Sequence, residues 1–169
     1  NRIKSVQSTQ QITKAMKMVS AAKLRRAQDG IQQMRPYAKK LQEMLANIVS
    51  NTEMEAGGTL TEVRPVEKVL LIVVTSDRGL CGGYNANLVK LAKATIADNY
   101  AQAHASKQVT IWNIGKKGWE SLSKQGYNTN DTFKDIFHSL TFENVQACAQ
   151  AAIQAFVAKE FDVVELIYS

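Results

Sequence analysis

A long 3-4 repeat of apolar residues at the N-terminus constrains this chain more than any other feature. Ten of the fourteen positions spaced alternately by three and four residues between positions 3 and 48 are apolar, and no glycine or proline occurs before Gly30 and Pro36. This spacing is typical of the contact face of a coiled-coil helix. We call the ten apolar positions the helix seam: Ile3, Val6, Leu24, Ala27, Ile31, Met34, Ala38, Leu41, Leu45 and Ile48.

The length of this repeat predicts a helix that protrudes from its domain. About 48 residues at 1.5 Å per residue extend for roughly 70 Å, which is more than twice the width of a small domain, so the seam needs another helix. Polar residues interrupt the seam from Gln10 to Ser20, where Ile12, Met16 and Val19 form a second stripe on the neighbouring face. A rotated stripe indicates a different partner or a stutter in the supercoil. Pro36 lies off the seam and should bend the helix or divide it into two collinear pieces.

Positive charge is concentrated in the same segment. The chain has a net charge of +6, but residues 1–42 contain ten Lys and Arg against one acidic residue, whereas residues 43–169 contain eleven against fourteen. A basic arm on a mildly acidic body predicts an acidic partner, which could be nucleic acid, lipid head groups or carboxylate-rich protein. No apolar run approaches the roughly 18 residues of a membrane span. The two cysteines make neither a disulfide framework nor a metal-ligand spacing.

Beyond a polar connector, short β-branched runs alternate with helical patterns. Strands are predicted at 68–75, 109–114 and 163–168, helices at 85–105, 117–124 and 142–161, and a possible edge strand within the polar stretch 127–138. The alternation predicts an α/β fold, with a Rossmann-like β-α-β-α-β domain built on an open, mainly parallel sheet and helices on both faces. The predicted domains are an N-terminal helix at 1–49, a connector at 50–66 and the α/β domain at 67–169. Because the last strand has no helix after it, we expect the chain to be truncated.

The segment between the first predicted strand and the helix that follows is unusually rich in glycine. We call residues 76–85 (SDRGLCGGYN) the glycine turn. Loops at the carboxyl ends of parallel strands gather ligands in doubly wound folds, and a glycine-rich loop before a helix can cradle a phosphate. The spacing, however, fits neither GxGxxG nor GxxxxGK[ST], which argues against a nucleotide site.

Two other interpretations of the glycine turn remain. Cys81 could be a nucleophile activated by Arg78 and the helix terminus, but neither His104 nor His138 is placed to supply a base. The simplest interpretation is a tight strand-to-helix turn in which Asp77 and Arg78 form a local ion pair. Outside the turn, Trp112 and Trp119 are expected to be packing residues.

Three segments together resemble the gamma subunit of the F-type ATP synthase. They are residues 8–23 (STQQITKAMKMVSAAK), residues 35–37 (RPY) and the glycine turn, and the resemblance runs through the whole chain in order. It implies a central rotor shaft, in which the N-terminal helix pairs antiparallel with a C-terminal helix inside the alpha-beta hexamer. It also implies a Rossmann-like foot that contacts the epsilon subunit and the membrane c-ring. The largest departure from the family is the lack of a C-terminal shaft helix after Ser169.

The resemblance also implies roles for particular residues. In this family the gamma subunit has no catalytic site, no cofactor and no metal, and its asymmetric surface forces the three beta subunits into different nucleotide states as it turns. The residues expected to meet the catalytic hexamer are Lys14, Met16, Lys17, Lys23, Arg25, Arg26, Arg78, Gly79, Leu80, Cys81, Gly82 and Gly83. The implied assembly is a hetero-oligomer on the cytoplasmic face of the bacterial cell membrane, with no membrane span and no nucleic acid.

Two alternatives come from other classes of protein. A nucleic-acid-binding protein with a basic helix would lose affinity steeply with salt, because each phosphate contacted releases condensed counterions. A Rossmann nucleotide-binding protein with a dimerisation helix would bind a nucleotide in equilibrium dialysis.

Overall fold

The computed structural model describes residues 2–51 and 58–169, and it has the predicted mixed α/β architecture. The chain divides into two compact units, Asn1–Gly57 and Gly58–Ser169. The described residues of the first unit, 2–51, form one long helix, and the second unit contains an open parallel sheet with its helices.

The long helix of the first unit, α1, runs from Arg2 to Asn51 without interruption and contains Pro36. The predicted division of the helix at Pro36 is therefore wrong, whereas a bend at this residue stays a prediction. Proline removes one backbone N–H from the hydrogen-bond ladder, but the flanking residues are mostly Ala, Lys, Leu, Gln and Met, which are strong helix formers. In the polar interruption of the seam, the hydroxyl of Thr13 donates to the carbonyl oxygen of Thr9 at 2.8 Å, so this side chain is satisfied by its own helix.

Every described side chain of α1, from residue 2 to residue 47, is exposed to solvent. This includes nine members of the helix seam, among them Ile3, Leu24 and Met34. The tenth, Ile48, lies outside the residues whose side chains the structure describes. Within the described residues of the first unit, these nine seam side chains are therefore left without a covering surface.

The second unit begins with a 3-10 turn at Gly58–Thr61 and continues with alternating strands and helices. In chain order these are β1 Val69–Val74, α2 Tyr84–Asn99, α3 Ala101–Ala105, β2 Val109–Ile114, α4 Lys116–Lys124, β3 Thr129–Asn130, a 3-10 turn at Ile136–Ser139, α5 Phe142–Val157 and β4 Val163–Ile167. The strand order is β3-β2-β1-β4, and all three pairings are parallel. The chain therefore moves outward from β1 through β2 to β3 and then returns to place β4 on the other side of β1. The glycine turn follows β1, at this switch point.

Strand β1 is the centre of the hydrophobic core. Its side chains alternate between two buried clusters: Val69, Leu71 and Val73 pack with residues of α2, whereas Leu70 and Ile72 pack with residues of α5. Burial on both faces explains why the strand is an uninterrupted apolar run in the sequence. The second cluster includes Trp112, which confirms its packing role.

One predicted helix is interrupted, and another ends earlier than the sequence predicts. The predicted helix 85–105 is broken at Tyr100, whose hydroxyl donates to the Glu165 carboxylate at 2.7 Å. The helix predicted to reach residue 161 ends at Val157, and the chain then reverses at Lys159 with φ of 62°. The N–H of Glu160 donates to the carbonyl oxygen of Ala155, which closes a left-handed helix terminus of the kind usually built on glycine.

Arg64 attaches the segment before β1 to helix α5. Its side chain is 8% exposed, and Nη1 donates to the carbonyl oxygen of Phe156 at 3.0 Å. The guanidinium also lies over the Phe156 ring, 4.5 Å from its centroid, and pairs with Glu62 at 2.8 Å. A cation at the carboxyl end of a helix is favoured by the helix dipole.

Candidate functional site

The base of the glycine turn is held by close packing between the ends of β1 and β2. Thr75 is buried, and its N–H donates to the carbonyl oxygen of Ile114 at 2.7 Å. Its hydroxyl accepts the N–H of Gly118 at 2.8 Å. Gly115 has φ of 100°, and a Cβ there would lie 2.2 Å from the carbonyl oxygen of Thr75. Only glycine fits at residue 115.

The first turn of α4 is occupied by groups from the glycine turn. The N–H of Lys116 donates to Oδ1 of Asp77 at 3.1 Å, and the N–H of Lys117 donates to the carbonyl oxygen of Ser76 at 3.1 Å. A helix N-terminus favours an anion, and here that anion is the Asp77 carboxylate. A phosphate at the N-terminus of α4 would have to displace Asp77. The nucleotide-binding interpretation concerns the N-terminus of α2, and Asp77 does not occupy that end.

The predicted ion pair between Asp77 and Arg78 is wrong. Among the described residues, the Asp77 carboxylate makes no ion pair with a Lys or Arg side chain. Nε2 of His138 lies 3.6 Å from its Oδ2, while Arg78 is exposed. The helix terminus holds the carboxylate on the inner side of the turn because it offers a fixed N–H donor. Arg78 is consequently left available to another molecule.

Lysines and carboxylates beside the turn form local ion pairs. Nζ of Lys116 lies 3.2 Å from Asp135, and Nζ of Lys117 lies 2.7 Å from Glu120. The hydrogen bond from Lys117 lowers the pKa of Glu120, so this carboxylate stays ionised to lower pH than usual. These pairs leave the surface around α4 nearly neutral.

The tip of the glycine turn is exposed. Residues 78–83, all of them expected interface residues, are brought together there. Leu80 is fully exposed although it is apolar, and it adopts φ of 60°, in the left-handed region that is unfavourable for leucine. An exposed leucine on a strained backbone is typical of a contact surface rather than of a packing turn.

Cys81 shows no arrangement for nucleophilic catalysis. Its sulfur lies 3.2 Å from Nδ2 of Asn85 and 3.9 Å from both the Ser76 hydroxyl and the carbonyl oxygen of Arg78. Within the described part of the chain, no histidine or carboxylate is in hydrogen-bond contact with the sulfur, so a general base is lacking. The other thiol, Cys148, is buried, and burial raises its pKa.

The expected interface residues of α1 form a second surface, on the first unit. Lys14, Met16, Lys17, Lys23, Arg25 and Arg26 are all exposed. Successive residues of a helix turn by about 100°, so these basic side chains point to several sides of the helix rather than to one face. A single flat partner could not meet them all.

Sequence reasoning missed the residues that hold the glycine turn in place. Asn85 closes the turn from the first turn of α2, and Asp77 and Lys117 join it to α4. Asn85 carried a weak signal, because asparagine near a helix start commonly bonds to the preceding loop. The contacts with α4 join residues about 40 positions apart, and no local pattern reveals them.

Two kinds of site are not found among the described residues 2–51 and 58–169. No described helix is both long and apolar enough to cross a membrane. In the same residues, no group of three or more His, Cys, Asp or Glu side chains is placed to hold a metal ion.

Fold and site together define a class of protein: a long, exposed, basic helix joined to a Rossmann-like unit whose glycine turn presents side chains instead of cradling a phosphate. A family model described as ATP synthase matches residues 1–169. The ATP synthase gamma chain of Flavobacterium psychrophilum is 50% identical over 169 residues, which is all of this chain and 57% of that protein. The gamma chain of Cytophaga hutchinsonii is 46% identical over 169 residues, again 100% of this chain and 57% of the relative. That of Chlorobaculum parvum is 47% identical over 168 residues, 99% of this chain and 58% of the relative.

The chain belongs to the ATP synthase family and, within it, to the bacterial gamma chains. It spans a little under three fifths of the length of these curated relatives.

Proposed function

We propose that this chain is part of the central-stalk rotor of an F-type ATP synthase. In this role α1 is one half of the shaft inside the alpha-beta hexamer, and the α/β unit is the foot. Rotation of the membrane c-ring, driven by protons, is coupled through them to ATP synthesis or hydrolysis. The observation that carries the proposal is a 50-residue helix whose described apolar seam is exposed throughout, in a chain similar to gamma chains along its whole length.

The seam supports the shaft role because it needs a second helix. Fully burying one large aliphatic side chain contributes about 1.5 to 3 kcal/mol. Seven of the nine described seam residues are larger than alanine, and all of them are exposed. An antiparallel partner helix would bury this stripe and stiffen the rod. We assign that pairing role to the helix seam.

The polar interruption of the seam supports rotation. A shaft that turns inside a sleeve cannot be held to one neighbour by deep apolar contacts. Residues 13–26 are mostly polar, basic or small, and their five Lys and Arg point to several sides of the helix. A ring of acidic loops, such as the proposed three beta subunits would supply, can meet such a surface at every angle.

The glycine turn is proposed to face the same catalytic subunits. Arg78 offers a guanidinium that pairs well with carboxylates, and Leu80 offers an apolar contact at the tip. The turn has no general base for Cys81, and its neighbouring helix terminus is filled by Asp77. The chain itself is therefore proposed to be non-catalytic, with the chemistry carried out by its partners.

The remaining partners follow from the proposed place of the foot. We assign the α/β unit to contacts with the epsilon subunit and the c-ring, in a hetero-oligomer peripheral to the cytoplasmic face of a bacterial cell membrane. No cofactor, metal or nucleic acid is needed for this role. The division into shaft helix at 1–49, connector at 50–66 and foot at 67–169 is part of the proposal.

Charge reversal on the shaft tests the proposal in the assembled complex. The variant carries four substitutions to Glu, at Lys17, Lys23, Arg25 and Arg26. ATP hydrolysis should persist, because none of these side chains takes part in the chemistry. Torque transmission should fall, because like charges now face the acidic loops. Proton pumping should therefore be lost out of proportion to the ATPase rate, with both measured in the same membrane vesicles.

The same four residues changed to Gln give the matched control. This variant removes the attraction without adding repulsion, and single exposed ion pairs contribute only about 0 to 1 kcal/mol each. Pumping should therefore lie between that of the wild type and that of the Glu variant. A parallel fall of hydrolysis and pumping to zero, with the complex still assembled, would indicate a direct catalytic role and contradict the proposal.

A further inference from the structure

The side chain of Asn85 spans the glycine turn from its base to its tip. Its Oδ1 accepts the N–H of Ser76 at 3.0 Å, just after β1. Its Nδ2 lies 2.9 Å from the Ser76 hydroxyl, 3.4 Å from the carbonyl oxygen of Arg78 and 3.2 Å from the sulfur of Cys81. One half-buried amide thus contacts three residues of the turn.

The turn depends on these side-chain bonds because its own backbone provides little. Between residues 76 and 84, one backbone hydrogen bond closes the turn internally, from the N–H of Tyr84 to the carbonyl oxygen of Cys81, and it is long at 3.4 Å. Leu80 is held at φ of 60°, which an isolated leucine seldom adopts. A turn with so few internal bonds would otherwise populate many conformations.

The other side of the turn is fixed by α4. The carbonyl oxygen of Ser76 and the carboxylate of Asp77 accept the N–H groups of Lys117 and Lys116. Asp77 therefore fixes the base of the turn. The Ser76 hydroxyl donates to the carbonyl oxygen of Arg78 at 2.6 Å, and the amide of Asn85 contacts that hydroxyl, the same carbonyl oxygen and Cys81, so Asn85 supports all three from α2. The residues between them, at the tip, are the exposed ones.

We propose that Asn85 is the positioning residue that holds the glycine turn ready for docking, so that Arg78 and Leu80 meet their partner in a single, pre-formed arrangement. The inference rests on the proposed function, in which this turn contacts the catalytic subunits. A surface that is ordered before docking loses less conformational entropy on binding. Asn85 acts through the turn and touches no partner itself.

The test uses Asn85→Ala in the complete gamma chain, with Asn87→Ala as the matched control. Asn87 is the same residue type two positions further along α2, it is exposed, and the described contacts include no side-chain hydrogen bond from it. Loss of the Asn85 acceptor should raise the hydrogen-exchange rate of the Ser76 amide by about tenfold, because this amide is then protected only by local packing. The control should leave that rate unchanged.

A spin label at the tip measures the order of the turn directly. The label is placed at Leu80→Cys in a Cys81→Ser background, where the serine hydroxyl still accepts from Asn85 and Cys148 stays buried. With Asn85→Ala, the rotational correlation time of the label should shorten at least about twofold, which shows faster motion of the tip. Asn87→Ala should have no such effect.

A second variant, Asn85→Asp, separates the two functions of the amide. It keeps an acceptor for the Ser76 N–H but loses the donors to Arg78 and Cys81. The Ser76 amide should stay protected while the tip becomes mobile. This pattern also distinguishes a local effect from a failure to fold, because an unfolded chain would lose hydrogen-exchange protection at every amide.

The last measurement is the ratio of proton pumping to ATP hydrolysis in the assembled complex, with unlabelled variants. Both Asn85 variants should lower proton pumping per ATP hydrolysed by at least about twofold, whereas Asn87→Ala should match the wild type. An unchanged tip mobility, or a mobile tip with unchanged coupling, would overturn the inference. The four Glu substitutions in α1 serve as the reference. If they uncouple pumping from hydrolysis but the Asn85 variants do not, this inference alone fails. If the variant with the four Glu substitutions also pumps and hydrolyses normally, both this inference and the proposed function fail.

Discussion

Gly115→Ala should be among the most destabilising single changes in the α/β unit. Gly115 has φ of 100° and ψ of 137°, a region of the backbone map that only glycine occupies readily. An added Cβ would lie 2.2 Å from the carbonyl oxygen and 2.7 Å from the carbonyl carbon of Thr75, both backbone atoms of a buried residue. Thr75 cannot move away without breaking its bonds to Ile114 and Gly118.

The size of the effect follows from these two causes. The unfavourable backbone region costs about 1 to 3 kcal/mol. Relief of a contact about 1 Å too short requires the loss of two buried hydrogen bonds, each contributing about 1 kcal/mol or more. The free energy of unfolding should therefore fall by at least about 3 kcal/mol, which is more than half of the stability of a marginal domain.

Gly126→Ala is the matched control. Gly126 also has positive φ, at 81°, but an added Cβ would meet no atom within 4 Å. It should lose about 1 kcal/mol, from backbone strain alone. Urea unfolding followed by tryptophan fluorescence measures both variants, because Trp112 and Trp119 belong to the α/β unit. Equal midpoints for the two variants would refute the steric reasoning.

Four further outcomes are expected. The chain should self-associate through its exposed helix seam, and sedimentation showing a clean monomer at tens of micromolar would contradict this. Burial, followed by the hydrogen bond to Glu165, raises the pKa of Tyr100 from 10.0 to about 12. Its contribution to stability is therefore complete below pH 10 and is lost as pH rises towards 12, and Tyr100→Phe should remove this difference in alkaline denaturation curves. Ellman's reagent should modify Cys81 rapidly in the native chain and Cys148 only on unfolding, so equal rates would argue against the burial of Cys148. Arg64→Ala should lower the free energy of unfolding by about 2 kcal/mol in the same urea assay, because a charged hydrogen bond and a cation-π contact are both lost, whereas an unchanged midpoint would show that Arg64 is not anchored to α5.

The strands of the α/β unit illustrate how much the sequence predicts. The three long strands were expected at 68–75, 109–114 and 163–168, and they lie at Val69–Val74, Val109–Ile114 and Val163–Ile167. Each is a β-branched run between polar segments, so its type is determined by residues close in sequence. The edge strand β3 has only two residues and owes its existence to its pairing with β2, which explains why its region was predicted only loosely.

The ends of the helices were predicted less well. Tyr100 breaks a helical pattern because its hydroxyl reaches Glu165, which is far away in the sequence. Lys159 ends α5 in the left-handed region, where glycine would have given a recognisable signal and lysine gives none. Helix α3 ends at Ala105, as predicted. Pro36, in contrast, gave a strong signal for a break that the helix does not make.

Some features of the candidate site, like those of the fold, depend on nearby residues, and others depend on the tertiary structure. The sequence by itself determined that α1 is a long basic helix with an apolar seam, and that the turn after β1 lacks a nucleotide fingerprint, because both depend on the spacing of nearby residues. Only the tertiary structure decided that Asp77 fills the N-terminus of α4, that Arg78 is consequently free, and that Asn85 holds the tip. The physical reason is that hydrogen-bond partners are chosen by proximity in space. The strand order that brings the ends of β1 and β2 together comes from long-range packing, which no local period encodes.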